Sequence, residues 1–111
     1  GTGNTVRDFL YVDDFVTDLI NIMEQYCVCD PINVSSGMTI TIREAVQIIL
    51  RVCGHTAAPQ YDPSKPDTIP YRMLSTVKFG ALFGGRKRTS FEDGIKSTVQ
   101  WYQGLMKDRA S

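Results

Sequence analysis

Two hydrophobic periods run along the chain, and the switches between them mark its elements. Val6-Arg7-Asp8-Phe9-Leu10-Tyr11-Val12 is rich in aromatic and β-branched residues and predicts a short strand. Behind it, Phe15, Val16, Leu19, Ile20, Met23 and Tyr26 recur at helical spacing, which predicts a helix capped by Asp13 or Asp14. Asp14, Thr17, Asp18, Asn21, Glu24 and Gln25 fall on its polar side, read as the wet face, and Asp30-Pro31 ends it. Ile32–Ser35 predicts a second strand running into a turn at Ser36-Gly37. Thr41 and Glu44 have the spacing of a capping box. The helix they open buries Ile42, Ala45, Val46, Ile49, Leu50 and Val52 and stops at Gly54. Pro59–Asp62 is a further candidate strand. Pro63, Pro66 and Pro70 enforce an irregular loop, because each lacks an amide donor. A short helix is expected over Ser75–Phe83, stopped by Gly84-Gly85. Ser90 with Asp93 caps a last helix that carries Phe91, Ile95, Thr98, Tyr102 and Leu105 on one stripe. Strands alternating with about four helices place the chain in the α/β class, or α+β if it stands alone.

Composition narrows the function. Of 111 residues, 42% are apolar and 22% charged, which excludes a disordered chain. Twelve basic side chains cancel twelve acidic ones, so binding of nucleic acid through bulk charge is excluded. No apolar run approaches the roughly 20 residues of a membrane span. Three cysteines do not make a disulfide framework, and they fit a reducing, cytoplasmic compartment. The chain opens on Gly1 rather than Met, which points to processing or to a piece of something longer.

Four groups of residues could carry chemistry. Arg7, on a strand among aromatics, could fork a phosphate, since a guanidinium presents several donors in one plane. The competing reading is an ion pair with Asp8 or Asp13. Lys65, Asp67 and Arg72 flank the proline-stiffened loop and could hold a nucleotide, or could simply be solvated. Cys27-x-Cys29 and Cys53-x-His55 together offer four metal-binding groups, but single-residue spacing leaves little room to wrap zinc, and no metal site is expected. Arg86-Lys87-Arg88 follows glycines but lacks the Gly-Lys-Ser/Thr ending of a phosphate loop, and is read as a solvated loop. The chain has no Gly-x-Gly-x-x-Gly or Gly-x-x-Gly-x-x-Gly turn. Its single Tyr-x-x-x-Lys match, Tyr61 and Lys65, is broken by Pro63. No catalytic or cofactor-binding residue is therefore assigned.

The order of motifs says more than any one of them. Gly1-Thr2-Gly3-Asn4, Arg7-Asp8-Phe9-Leu10-Tyr11-Val12-Asp13-Asp14, Pro31-Ile32-Asn33-Val34-Ser35-Ser36-Gly37 and Thr41-Ile42-Arg43-Glu44-Ala45 follow one another. Asp62-Pro63-Ser64-Lys65-Pro66-Asp67, Thr89-Ser90-Phe91-Glu92-Asp93-Gly94-Ile95 and Thr98-Val99-Gln100-Trp101-Tyr102 complete the set. This series closely resembles the C-terminal part of the NDP-sugar epimerases and dehydratases, which are extended short-chain dehydrogenase/reductases. The Lys-Pro-Asp loop leans toward their GDP-L-fucose synthase-like branch. Thr68 and Ser75 depart from the family, where Gly and Asp are common.

The resemblance implies that residues 1–111 form a C-terminal substrate-binding segment without its Rossmann lobe. That lobe would carry NAD or NADP and the catalytic set of the parent epimerase, dehydratase or reductase, leaving this chain inactive alone and without a cofactor. Arg7 would meet the diphosphate of a nucleotide-sugar, Asp67 the ribose, and Arg72, with Lys65 nearby, the nucleotide. The first helix would share its apolar face with the missing lobe. Phe15, Val16, Leu19, Ile20 and Met23 would then stay uncovered and drive self-association. The alternative is a stand-alone, truncated binding or interaction module.

Overall fold

A computed structural model of the protein describes residues 1–110, with seven elements. They are β1 (Val6–Asp8), α1 (Val12–Gln25), β2 (Thr39–Thr41), α2 (Ile42–Val52), β3 (Tyr71–Arg72), α3 (Val77–Phe83) and α4 (Phe91–Ala110). The three strands form one small sheet in the order β2-β1-β3, with β1 antiparallel to β2 and parallel to β3. Four helices and three short strands agree with the expected class.

Several local expectations hold. Thr41 Oγ1 accepts the Glu44 amide at 3.1 Å while the Glu44 carboxylate accepts the Thr41 amide at 2.8 Å, a complete capping box. Gly54 follows α2, and Gly84, at φ +74°, ends α3 in a conformation that side chains disfavour. Ser90 Oγ accepts the Asp93 amide at 3.1 Å at the start of α4. The Pro63–Pro70 loop is irregular.

Others are corrected. The first strand stops at Asp8 because the Phe9 ring leaves the sheet for Phe91 of α4, with centroids 5.2 Å apart, and Tyr11 packs on Gly94. Tyr11 is the N-cap of α1, without a side-chain cap bond, while Asp13 and Asp14 lie in the first turn, where carboxylates suit the helix dipole. Ile32–Ser35 joins no ladder. Asp8 captures the Ser35 and Ser36 side chains, the chain turns, and Thr39–Thr41 reaches the edge of β1 instead. Pro59–Asp62 is not a strand either. Tyr61 stacks beneath the Arg43 guanidinium at 4.0 Å, and Asp62 folds a local turn by accepting the Ser64 amide and hydroxyl. The strand that does form, β3, follows Pro70, whose carbonyl accepts the Val6 amide at 2.8 Å.

The largest correction concerns α1. Asp18, read as part of the wet face, is 0% exposed. Arg86 Nη1 donates to its Oδ1 at 3.0 Å, and Arg88 Nη1 donates to its Oδ2. One turn earlier, on the same face, Asp14 accepts the Thr89 amide at 2.7 Å and the Thr89 hydroxyl at 3.1 Å. Arg86 and Arg88 are therefore structural anchors rather than a solvated loop. The Arg88 guanidinium also lies 5.3 Å from the centroid of Phe79, which with Ala45 makes up the buried apolar side chains among the described residues. The apolar face of α1 points outward: Phe15, Val16, Leu19 and Ile20 are 41–49% exposed and Met23 is 68% exposed. On α4, Phe91 and Ile95 are half-buried, whereas Thr98, Tyr102 and Leu105 of the expected stripe are exposed.

The overall dimensions agree with an uncovered face. The chain measures 47 × 42 × 21 Å with a radius of gyration of 17.1 Å, against about 13 Å for a compact domain of this length. Its accessible surface is 8055 Å², where a compact monomer of this mass would show about 6,100 Å². Removing the Asp18 charge leaves two arginines facing a buried neutral group. Asp18→Asn is expected to cost about 3 kcal/mol or more in urea unfolding. A loss under about 1 kcal/mol, the value of a surface pair, would contradict the anchor.

Candidate functional site

Neighbouring strands carry the two arginines that define the candidate site. Arg7 of β1 and Arg72 of β3 are register partners, so they emerge side by side on one face of the sheet. Like charges in that position repel unless something negative lies between them. Among the described residues neither arginine makes an ion pair. Asp8, the nearest carboxylate in sequence, accepts the Ser36 amide at 3.1 Å and the Ser35 and Ser36 hydroxyls. The expected alternative for Arg7, a pair with Asp8 or Asp13, is not what the structure shows. Arg7 Nη1 donates to its neighbour's carbonyl, Val6 O, at 2.6 Å, and Nη2 donates to Thr68 Oγ1 at 2.6 Å.

Both arginines border a cleft of about 310 Å³, walled on its apolar side by Leu10, Val34, Met73 and Leu74 and on its polar side by Asp8 and Ser35. A second hollow, about 250 Å³, lies next to it and is lined by Gly3, Tyr61, Asp67 and Thr68. Thr68 joins the two, since it borders the second and hydrogen-bonds the arginine of the first. Gly3 is required there: at φ +79°, its added Cβ would stand 2.4 Å from the Tyr61 ring. The buried Tyr61 hydroxyl has no hydrogen-bond partner among the described residues. Asp67 accepts the Thr2 amide at 2.9 Å and the Thr2 hydroxyl, which together hold its carboxyl below the usual aspartate value. Lys65 is exposed on the loop and borders neither hollow.

The structure thus brings together Arg7 and Arg72, sets Asp67 in the adjoining hollow and leaves Lys65 outside. Sequence reasoning missed the Asp8 clamp and Thr68. Asp8 had a signal, the Ser35-Ser36 pair after an extended stretch; Thr68 was marked only as a departure from the family's Gly, with no role for its hydroxyl. Cys27, Cys29 and Cys53 are exposed free thiols, and no three metal-binding side chains cluster among the described residues. No helix of the described residues is long and apolar enough to cross a membrane.

These residues do not fit a dinucleotide cofactor. The turn from β1 into α1 is Phe9-Leu10-Tyr11, with no glycine to admit a pyrophosphate, and α1 opens on Asp13 and Asp14, which would repel one. The start of α2 is closed by its own capping box.

The fold matches about a third of the extended short-chain dehydrogenase/reductase fold of NDP-sugar epimerases and dehydratases. Within that group the chain's homologues include GDP-L-fucose synthases. Putative GDP-L-fucose synthase 2 of Arabidopsis thaliana is 33% identical over 102 residues, covering 92% of this chain and 31% of its own length. A GDP-L-fucose synthetase of Naegleria fowleri, solved also with NADP bound, superposes with a TM-score of 0.90 at 30% identity, over 96% of this chain and about a third of its own. The UDP-glucose 4-epimerase of Thermotoga maritima, solved with UDP-glucose, gives 0.83 at 26% identity, covering 96% of this chain and 34% of its own. No family model matches the chain. The chain spans about a third of the length of the curated relatives it matches.

Because Asp67 is held below its ordinary range, the loop it anchors is stabilised above that range and loses the contribution as pH falls through the lowered value. In an acid titration, the Thr2 amide resonance should move with a midpoint below about 3.9. A midpoint at or above that value would show that the tie is not formed.

Proposed function

We propose that this chain is the nucleotide-sugar-binding portion of an NAD(P)-dependent NDP-sugar epimerase, dehydratase or reductase, and that it does no chemistry alone. The observation that carries this reading is the side-by-side pair Arg7 and Arg72, without carboxylate partners, at the edge of a half-apolar cleft. A diphosphate supplies two adjacent negative groups and matches two adjacent guanidinium groups. In the adjoining hollow, Asp67 could accept ribose hydroxyls while the apolar wall packs against the rest of the ligand. Lys65, on the exposed loop, would add attraction at longer range. The homologues are named for GDP- and UDP-sugar chemistry, which supports the same ligand class.

In such an enzyme this portion would lower the barrier by fixing where the sugar sits. Hydride transfer to and from NAD or NADP would belong to residues outside this chain. Exposed free thiols suit a reducing cytoplasm. The outward face of α1 supports an additional partner, a cofactor-binding lobe or, without it, a second copy of the chain. That face also supports the alternative of a stand-alone interaction module, and nucleotide binding separates the two.

Calorimetric titration with GDP- and UDP-sugars tests the reading. Arg7→Ala should weaken binding roughly ten- to a hundredfold, the worth of a charge-assisted phosphate contact, and Arg7→Lys should recover part of it. Equal affinity in wild type and Arg7→Ala would overturn the assignment. NAD(P)-dependent conversion of any sugar nucleotide by the chain alone would overturn the claim that it is inactive by itself. Light scattering should find dimers or larger species, and a monomer at high concentration with no dye-accessible apolar surface would contradict the uncovered face.

A further inference from the structure

We infer that Thr68 is the positioning residue for Arg7, and that its hydroxyl sets the guanidinium in the plane from which it meets a diphosphate; this rests on the nucleotide-sugar reading above. An arginine side chain has long rotatable stems and loses that freedom when it binds, so a guanidinium held in place beforehand binds more tightly. Arg7 is held at two points. Nη1 is tied to Val6 O on its own strand and Nη2 to Thr68 Oγ1, sixty-one residues away in sequence, each at 2.6 Å. The two bonds use two of five donors and leave three for an anion. Neither partner is a carboxylate, so the plane is fixed while the positive charge stays un-neutralised.

The backbone carbonyl of Val6 comes with the strand itself. Thr68 is the side chain that chooses the plane, and it sits on the loop that also presents Asp67. Asp67 is tied down through Thr2, and Val6 N binds Pro70 O, so the loop carrying Thr68 is fastened on both sides of it. The hydroxyl therefore couples the arginine cleft to the adjoining hollow. A ligand that spans both would find its two recognition groups already in register.

Thr68 is exposed, so it can be changed without loss of core packing. The test uses the whole chain as wild type, Thr68→Val and Thr68→Ser. Two readouts are taken: the NMR order parameter of the Arg7 Nε–Hε bond, and affinity for GDP and UDP by calorimetry. Thr68→Val removes the acceptor at nearly constant shape, so the order parameter should fall. Affinity should weaken roughly two- to tenfold, the range of one net hydrogen bond. Thr68→Ser keeps the acceptor and should restore both. An unchanged Arg7 order parameter in Thr68→Val, or unchanged affinity with lowered order, would overturn the positioning role. If order falls in Thr68→Val but the wild type binds neither nucleotide, the nucleotide reading itself fails, and with it the ligand half of this inference.

Discussion

A carboxylate buried under two arginines decides how this chain is put together. Asp18 takes Arg86 on one oxygen and Arg88 on the other, with no exposure of its own. Burying a lone carboxylate would cost several kcal/mol, so the site exists only because both arginines come with it. Arg88 is 11% exposed and also lies near the Phe79 ring, while Arg86 is 36% exposed and keeps part of its charge in water. Asp14, one turn away, fastens Thr89. Two acids on one helical face thus clamp the strip 86–89, which leads into α4, whose start holds the rings of Phe9 and Tyr11 beside β1. The central strand that presents Arg7 depends on that chain of contacts.

The same clamp turns α1 around. A helix has one face for its neighbours, and here the polar one is used, leaving Phe15, Val16, Leu19, Ile20 and Met23 uncovered. Relative to a compact monomer of equal mass, the chain shows about 1,900 Å² more surface, more than the roughly 800 Å² that each partner commonly buries in a stable interface. The chain spans about a third of its relatives' length, and the apolar face of α1 is open along its length.

Much of this was legible in the residues. The four helices were, because caps and stops are local chemistry: Thr41 with Glu44, Ser90 with Asp93, Gly54 and Gly84 act on neighbours within a few positions. The strands were less so. Val6–Asp8 was found, but β2 and β3 are two or three residues long and exist only because β1 offers edges to them. Ile32–Ser35, more strand-like by composition, lost its place to the Asp8–serine bonds. Asp18 was misplaced because helical periodicity separates two faces without saying which is covered; that depended on Arg86 and Arg88, some seventy residues on. At the site, Arg7, Asp67 and Arg72 stood out by charge and motif order. Thr68 stood out only as a departure from the family's Gly, because a hydroxyl in a proline loop carries no pattern that assigns it a partner.

The polarity of α1 is tested by two substitutions on its opposite faces, Asp18 on the buried side and Ile20 on the open one. Asp18→Leu makes an ordinary core residue of a buried acid, and Ile20→Lys places a charge on an apolar stripe. Urea unfolding of dilute protein should show Asp18→Leu losing about 3 kcal/mol or more, because two arginines are left without their anion. Ile20→Lys should stay within about 0.5 kcal/mol of the parent, as an exposed site does. The opposite order, with Asp18→Leu tolerated and Ile20→Lys unfolding the chain, would mean that the apolar face is the one packed inside and that the buried carboxylate does not organise the fold.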